Sequence, residues 1–206
     1  MSGGEKTKGS GPGRRALLGG AAALWSAFAP AIVRAQQPAP RRRQSAEPAL
    51  PPVVFVHGNG DSSALWINTL WRFEANGYRR NQLFAIDFDN PSARRNDAKP
   101  EPFRSSTEDQ MRELAAFVAE VRKATRRRRV ALVASSRGGN AVRNYLKNGG
   151  GAEFTSHAVL CGTPNKGIVI SDSVLVGSEF NGAAPFLKGL NAGPDDLIDG
   201  VEMMAI

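Results

Sequence analysis

The sequence has one cysteine, Cys161, and two histidines, His57 and His157. A lone cysteine excludes an intramolecular disulfide framework and any zinc site built on several thiolates. Two histidines leave almost no material for a histidine-based metal centre. Aromatic residues are scarce, at 7%. None interleaves with the basic clusters Arg41–Arg43 and Arg126–Arg129, which excludes a stacking platform for nucleic acid despite a net charge of +8. No internal repeat of 20–50 residues is present. What remains is ordinary globular composition, 41% hydrophobic and 22% charged over 206 residues. That suffices for one domain with a hydrophobic core.

The charge is unevenly placed. Residues 1–15 are polar and end in Arg14–Arg15, and the apolar run Ala16–Val33 follows, with Ser26 its polar residue and Pro30 near its end. Val33-Arg34-Ala35 supplies small residues at the −3 and −1 positions of a cleavage site before Gln36. A charged segment, an apolar segment and a processing site make up an export signal. The Arg-Arg-Ala-Leu-Leu run resembles a twin-arginine signal, which implies the twin-arginine export machinery as a partner before cleavage. An uncleaved anchor is the alternative, but the run is Ala/Gly-rich and at the lower limit for a span. The mature form is therefore expected to be periplasmic or secreted, without a stable membrane span. Removing residues 1–35 takes 27 basic residues to 22 and 19 acidic ones to 18, a net charge of +4. Residues 36–52, rich in Pro and Arg, read as a linker.

From residue 53 strands and helices alternate. Val53–His57 and Leu83–Phe88 are short apolar runs that read as strands buried on both faces, hence parallel. Ala64–Ala75 carries Leu65, Trp66, Leu70 and Phe73 at helical spacing. Residues 89–106 form a polar loop. Thr107, followed three residues later by Gln110, reads as a capping box opening a helix to about Thr125. Val130–Ala134 is a third strand, Arg137–Asn148 a helix stopped by Gly149, and His157–Cys161 a fourth strand. The expectation is a parallel three-layer α/β domain over residues 53–206. The segment 168–200 suits either a lid or ordinary packing between strands.

Chemistry concentrates where the third strand turns into a helix, Ala134-Ser135-Ser136-Arg137-Gly138. A serine at a tight strand-to-helix turn needs small residues two before and two after it, because the two backbones nearly touch there. Ala134 and Gly138 meet that requirement around Ser136. Ser135 does not, since Val133 and Arg137 would take the small positions. A second loop, His57-Gly58-Asn59-Gly60, leaves the first strand, and its glycines let backbone amides turn toward a substrate. A third motif, Gly162-Thr163-Pro164-Asn165-Lys166-Gly167, leaves the fourth strand.

In this order and at these separations the three motifs resemble bacterial lipases and esterases of the α/β-hydrolase family, over roughly residues 52–170. The resemblance implies Ser136 as nucleophile, an acyl-enzyme, an ester or lipid substrate, an oxyanion hole from the Asn59 and Arg137 amides, and no metal or organic cofactor for the chemistry. His57 precedes the nucleophile and is read as a support for its loop, with Gly58 and Gly60, rather than as the base. The family order places an acid and then a histidine after the serine. Here only His157 follows, near the wrong end of its strand, and no acid matches the family position. Val201–Ile206 reads as the opening of a further strand. The domain is thus expected to be the front portion of a longer hydrolase lacking its last strands. The alternative is a non-catalytic α/β-hydrolase-like binding domain, and within the enzyme class a polyester (polyhydroxyalkanoate) depolymerase. For export, the expected outcome is a mature N-terminus near Gln36, with replacement of both Arg14 and Arg15 by Lys abolishing its appearance in the periplasm. N-terminal sequencing and fractionation check this.

Overall fold

The computed structural model describes residues 50–169, 172–193 and 197–206. The export segment 1–35 and all but the last residues of the 36–52 linker lie outside the described residues.

The chain runs β1 (Val53–Val56), a 3₁₀ turn (Ser63–Trp66), α1 (Ile67–Ala75), β2 (Leu83–Ala85), β3 (Ser92–Ala93), β4 (Arg104–Ser105), α2 (Thr107–Thr125), β5 (Val130–Ser135), α3 (Arg137–Asn148), β6 (Thr155–Cys161), α4 (Pro185–Leu190) and β7 (Glu202–Ala205). Five strands form one parallel sheet in the order β2-β1-β5-β6-β7. Period-two alternation sorts the side chains of β1 between two separate cores. Val54 and Val56 join Leu114 and Val118 of α2 and Val142 and Leu146 of α3 on one face. Val53 and Phe55 join Trp66 and Leu70 on the other. Apolar side chains on both faces of one strand are what a three-layer α/β sandwich requires, and they explain the unbroken apolar run in the sequence. Beyond α1 the second face is less covered: along β6, His157, Val159 and Cys161 alternate with the buried Ala158 and Leu160.

The chain steps from β1 out to β2 at one edge, then returns to β5 on the other side of β1. Strand order therefore reverses between β1 and β5. The carboxyl ends of two strands flanking such a reversal border a crevice where ligands bind in open α/β sheets. The loops that leave those ends are 57–62 and the turn at Ser136.

Several elements differ from the sequence expectation. The first helix divides into a 3₁₀ turn and α1, and Leu65 faces solvent. Strand β2 stops at Ala85, although Ile86 and Phe88 remain buried. The polar loop holds a two-strand parallel pair, β3 with β4. The capping box of α2 sits one residue earlier: Ser106 Oγ accepts from the Asp109 N–H at 3.1 Å, and Asp109 accepts from the Ser106 N–H at 2.9 Å. Thr107 is unavailable for capping because its hydroxyl donates to Asp97 at 2.6 Å. Val201–Ile206 does form a strand, β7, parallel to β6. Arg126 to Arg128 are exposed at the end of α2, while Arg129 turns inward to the Thr155 and Gly200 carbonyls.

Helix α3 begins against β1. A Cβ at Gly138 would stand 2.5 Å from the His57 carbonyl oxygen and 2.6 Å from that of Val56. Backbone cannot retreat as a flexible side chain can. Gly138→Ala should therefore lower unfolding free energy by about 1–3 kcal/mol, the usual cost of overpacking. Gly189 in α4 has open space around it, so Gly189→Ala should be neutral or stabilising by up to about 1 kcal/mol. Urea denaturation of the two variants beside the parent checks both signs.

Candidate active site

Ser136 is the residue between β5 and α3 and is exposed. Its backbone lies at φ 50°, ψ −122°. That is the first central position of a type II′ turn, a conformation L-residues rarely adopt, and it costs on the order of 1–3 kcal/mol. The turn is held on both sides. The Ser136 N–H donates to the Cys161 carbonyl at 2.8 Å, and its own carbonyl accepts from the Gly139 N–H at 3.0 Å. Ala134, two residues before, is fully buried between β1 and β6, where it pairs with Val56 and Leu160. Small residues on both sides are thus a packing requirement. Ser135, the other candidate, is the last residue of β5 and takes no part in the turn's apex.

As the first residue of α3, Arg137 presents an N–H with no partner four residues back, at the positive end of the helix dipole. The loop after β1 lies beside it. A Cβ at Gly58 would approach Ser136 Cβ to 3.1 Å and Oγ to 3.7 Å. The Gly58 carbonyl accepts from His57 Nδ1 at 2.9 Å and from the Asp61 N–H at 3.4 Å, which fixes the peptide plane that carries the Asn59 N–H. The Asn59 side chain accepts from the Ala93 N–H at 2.7 Å. Gly60 sits at φ 69°, and its N–H donates to the Pro91 carbonyl at 3.1 Å. Ser63 donates from both its N–H and Oγ to the Asp87 carboxylate, holding that carboxyl below its usual range.

His57 is buried and both its ring nitrogens are engaged. The Phe88 N–H donates to Nε2 at 3.3 Å, so Nδ1 carries the proton and donates to Gly58. His157 lies four residues from the end of β6, about 13 Å along the strand from Cys161. It is 48% exposed and faces Glu202. The structure therefore brings Gly58 beside Ser136 and seats Gly138 against the end of β1, with Asn59 and Gly60 following in the same loop, and leaves neither histidine placed as a base for Ser136.

The sequence reading missed the side chain of Arg137. It is 0% exposed and spends its guanidinium on four hydrogen bonds. Nε donates to Glu179, Nη1 to the Pro91 carbonyl at 2.9 Å and to Ser105 Oγ at 3.0 Å, and Nη2 to the Ser105 carbonyl at 2.8 Å. Glu179, 2% exposed, belongs to the 168–200 segment. Burial pushes its carboxyl up to about 7, against the pull of Arg137, and Asp97 nearby adds to the rise. A raised acid binds its proton more firmly folded than unfolded. Its contribution to stability therefore declines as pH rises from about 4.5 toward 7. No local pattern announces this pair, since its members are 42 residues apart. The rest of 168–200 is in part ordinary packing, through buried Ser178, Asn181, Leu187 and Leu190, while Val174, Leu175 and Val176 are exposed at its tip.

The third motif packs against the same helix. A Cβ at Gly139 would fall inside the Thr163 side chain, so the Gly-Thr-Pro turn and α3 are fitted to one another. A cavity of about 550 Å³ lies elsewhere, lined in part by Arg143, Lys147, Leu190 and Met203, and the described residues contain no cluster of three or more metal-ligating side chains. Among the described residues no helix is long and apolar enough to cross a membrane.

Solved structures with the same architecture include the Bacillus licheniformis lipase BlEst2. Its mature form matches with a TM-score of 0.53 at 24% identity, covering 77% of this chain and 66% of that one. Its propeptide form gives 0.54 at 22% identity, covering 77% of this chain and 36% of that one. Aspergillus fumigatus lipase B matches at 0.52 and 13% identity, over 70% of this chain and 34% of that one. The chain thus spans from about a third to 66% of the length of these proteins. At such identities the likeness is one of fold, an α/β hydrolase. A search of curated protein sequences returned no match. The family pattern of the class 2 lipases matches residues 51–171, more than half of the sequence, and the chain belongs to that family.

Proposed function

We propose that the chain is an exported serine hydrolase, periplasmic or secreted, that cleaves carboxylic esters through an acyl-enzyme on Ser136. One observation carries the reading: an exposed serine at φ 50°, ψ −122°, standing between a buried parallel strand and the first turn of a helix. That conformation is strained, serves no capping bond, and lifts a hydroxyl clear of the sheet. In the reaction Ser136 Oγ attacks the ester carbonyl carbon. The carbonyl oxygen becomes an oxyanion held by the Asn59 and Arg137 N–H groups, donors fixed before substrate arrives. Collapse expels the alcohol and leaves the acyl group on Ser136, and water then releases the acid. The substrate class is an ester or lipid, and no step calls for a metal or an organic cofactor.

The hydroxyl proton needs an acceptor, and an unassisted serine is a weak nucleophile at neutral pH. The only histidines of this chain are His57, whose nitrogens are engaged, and His157, at the far end of β6. Turnover by this chain is therefore expected to be slow. Its scale is the residual of about 10³–10⁴ over water that an oxyanion hole and binding retain when a triad member is absent. The measurement is p-nitrophenyl butyrate hydrolysis by the full chain and by Ser136→Ala. Slow hydrolysis lost in Ser136→Ala supports the reading. Hydrolysis unchanged in that variant overturns it, and brisk hydrolysis abolished in it would point first to His57 as the base.

A further inference from the structure

We propose that Glu179 is a positioning residue for the turn at Ser136: by holding the buried Arg137 side chain, it fixes the peptide between Ser136 and Arg137 and ties that peptide to the 172–182 loop. The inference rests on the ester-hydrolase reading above, because it assigns Glu179 a part in orienting the N–H that would meet the oxyanion.

The geometry begins with a strained residue. A conformation such as that of Ser136 persists only where its surroundings over-determine it. Three restraints converge on it. The Ser136 N–H is bound to the end of β6. Gly138, two residues on, has no room to move toward the β1 carbonyls. The third restraint is the residue between them, whose side chain is anchored at four points. The planar guanidinium fork fixes direction as well as distance, so the Arg137 Cα, and with it the preceding peptide, has little freedom to rotate.

The anchors belong to different parts of the chain. Pro91 and Ser105 lie in the loop between β2 and α2, and the Pro91 carbonyl also receives the Gly60 N–H, so one oxygen links Arg137 to the loop bearing the other proposed oxyanion donor. Glu179 lies beyond β6. It is the one charged anchor and comes from a loop that also docks on the β3–β4 region, where the Asp97 N–H donates to the Gly177 carbonyl at 2.8 Å. A buried arginine–glutamate pair is weak evidence for stability as such, since apolar residues of similar volume often serve as well. A role in specifying one orientation accounts for a charged pair placed directly after an exposed serine. The chemistry proposed above does not otherwise use Glu179.

The pair can be read without turnover. The charged groups that act on it are Asp97 from the β2–α2 loop and, toward Arg137, Glu113 from α2. Burial has raised the Glu179 carboxyl to about 7, so acidification through that pH neutralises it. In the ¹⁵N-labelled full chain, the backbone amide resonances of residues 136–139 should shift with a midpoint near pH 7. In Glu179→Gln, which preserves shape and removes the charge, that titration should vanish. Where ester hydrolysis is measured, Glu179→Gln should lower kcat by about 10-fold, short of the ~10² that follows loss of an oxyanion donor outright. KM should stay within about twofold, as expected when orientation rather than binding is disturbed. Arg137→Met should abolish the same titration. If that variant does not fold, Glu179→Gln and the parent titration decide alone. Amides 136–139 that show no pH-dependent shift, or the same shift in Glu179→Gln, overturn the proposal whatever the kinetics. Hydrolysis that survives Ser136→Ala refutes the hydrolase reading instead, and is distinguishable because the amide titration does not depend on turnover.

Discussion

Helix α3 can begin where it does only because its first turn lies directly on the backbone of β1. The missing Cβ at Gly138 allows two carbonyl oxygens to approach within 2.6 Å of where that atom would stand. Everything at the carboxyl end of the sheet follows from this contact. The chain must leave β5 and enter α3 within a single residue, so Ser136 is forced to a positive φ. The loop after β1 must in turn pass beside Ser136, which is why Gly58 lies so close to its side chain. The strain is sustained by the packing of one face, where β1, β5 and α3 contribute Val54, Leu132 and Val142 to one continuous core.

Topology then determines which loops meet. Parallel strands whose order reverses between β1 and β5 bring residues 57–60 and 134–138 to adjacent positions at one end of the sheet. The same arrangement separates the two histidines by role. His57, at the end of β1, is drawn into the loop and held by Phe88 and Gly58. His157, near the start of β6, is carried to the opposite end, where it faces Glu202.

The polar interior is concentrated around one side chain. Arg137 gathers carbonyls, a hydroxyl and a carboxylate from two loops that have no regular hydrogen-bond ladder joining them to the main sheet. Loops of this kind expose backbone groups that must be satisfied somewhere. An arginine with a rigid fork satisfies several at once, Asn181 does the same within its own loop, and Asn59 takes the Ala93 N–H. The arrangement gives the segment after β6 a fixed point beside the serine even though its tip, Val174 to Val176, is exposed.

Much of this molecule was legible in its residues alone. Short apolar runs flanked by Pro and Gly announce parallel strands, since only burial on both faces tolerates such a run. The small residues around Ser136 announce a close backbone crossing, because nothing larger than Ala134 or Gly138 fits. These are local signals, carried by period and by size. Other features depended on partners distant in the chain. Whether Ser106 or Thr107 caps α2 was decided by Asp97, which takes the Thr107 hydroxyl. Leu65 belongs to the helical pattern in sequence yet faces water, because the helix opens with a 3₁₀ turn that rotates it off the core. The β3–β4 pair, and the meeting of Arg137 with Glu179 across 42 residues, leave no periodic trace. A hydrogen bond between loops needs only two groups at the right separation, and that separation exists only after the sheet has formed.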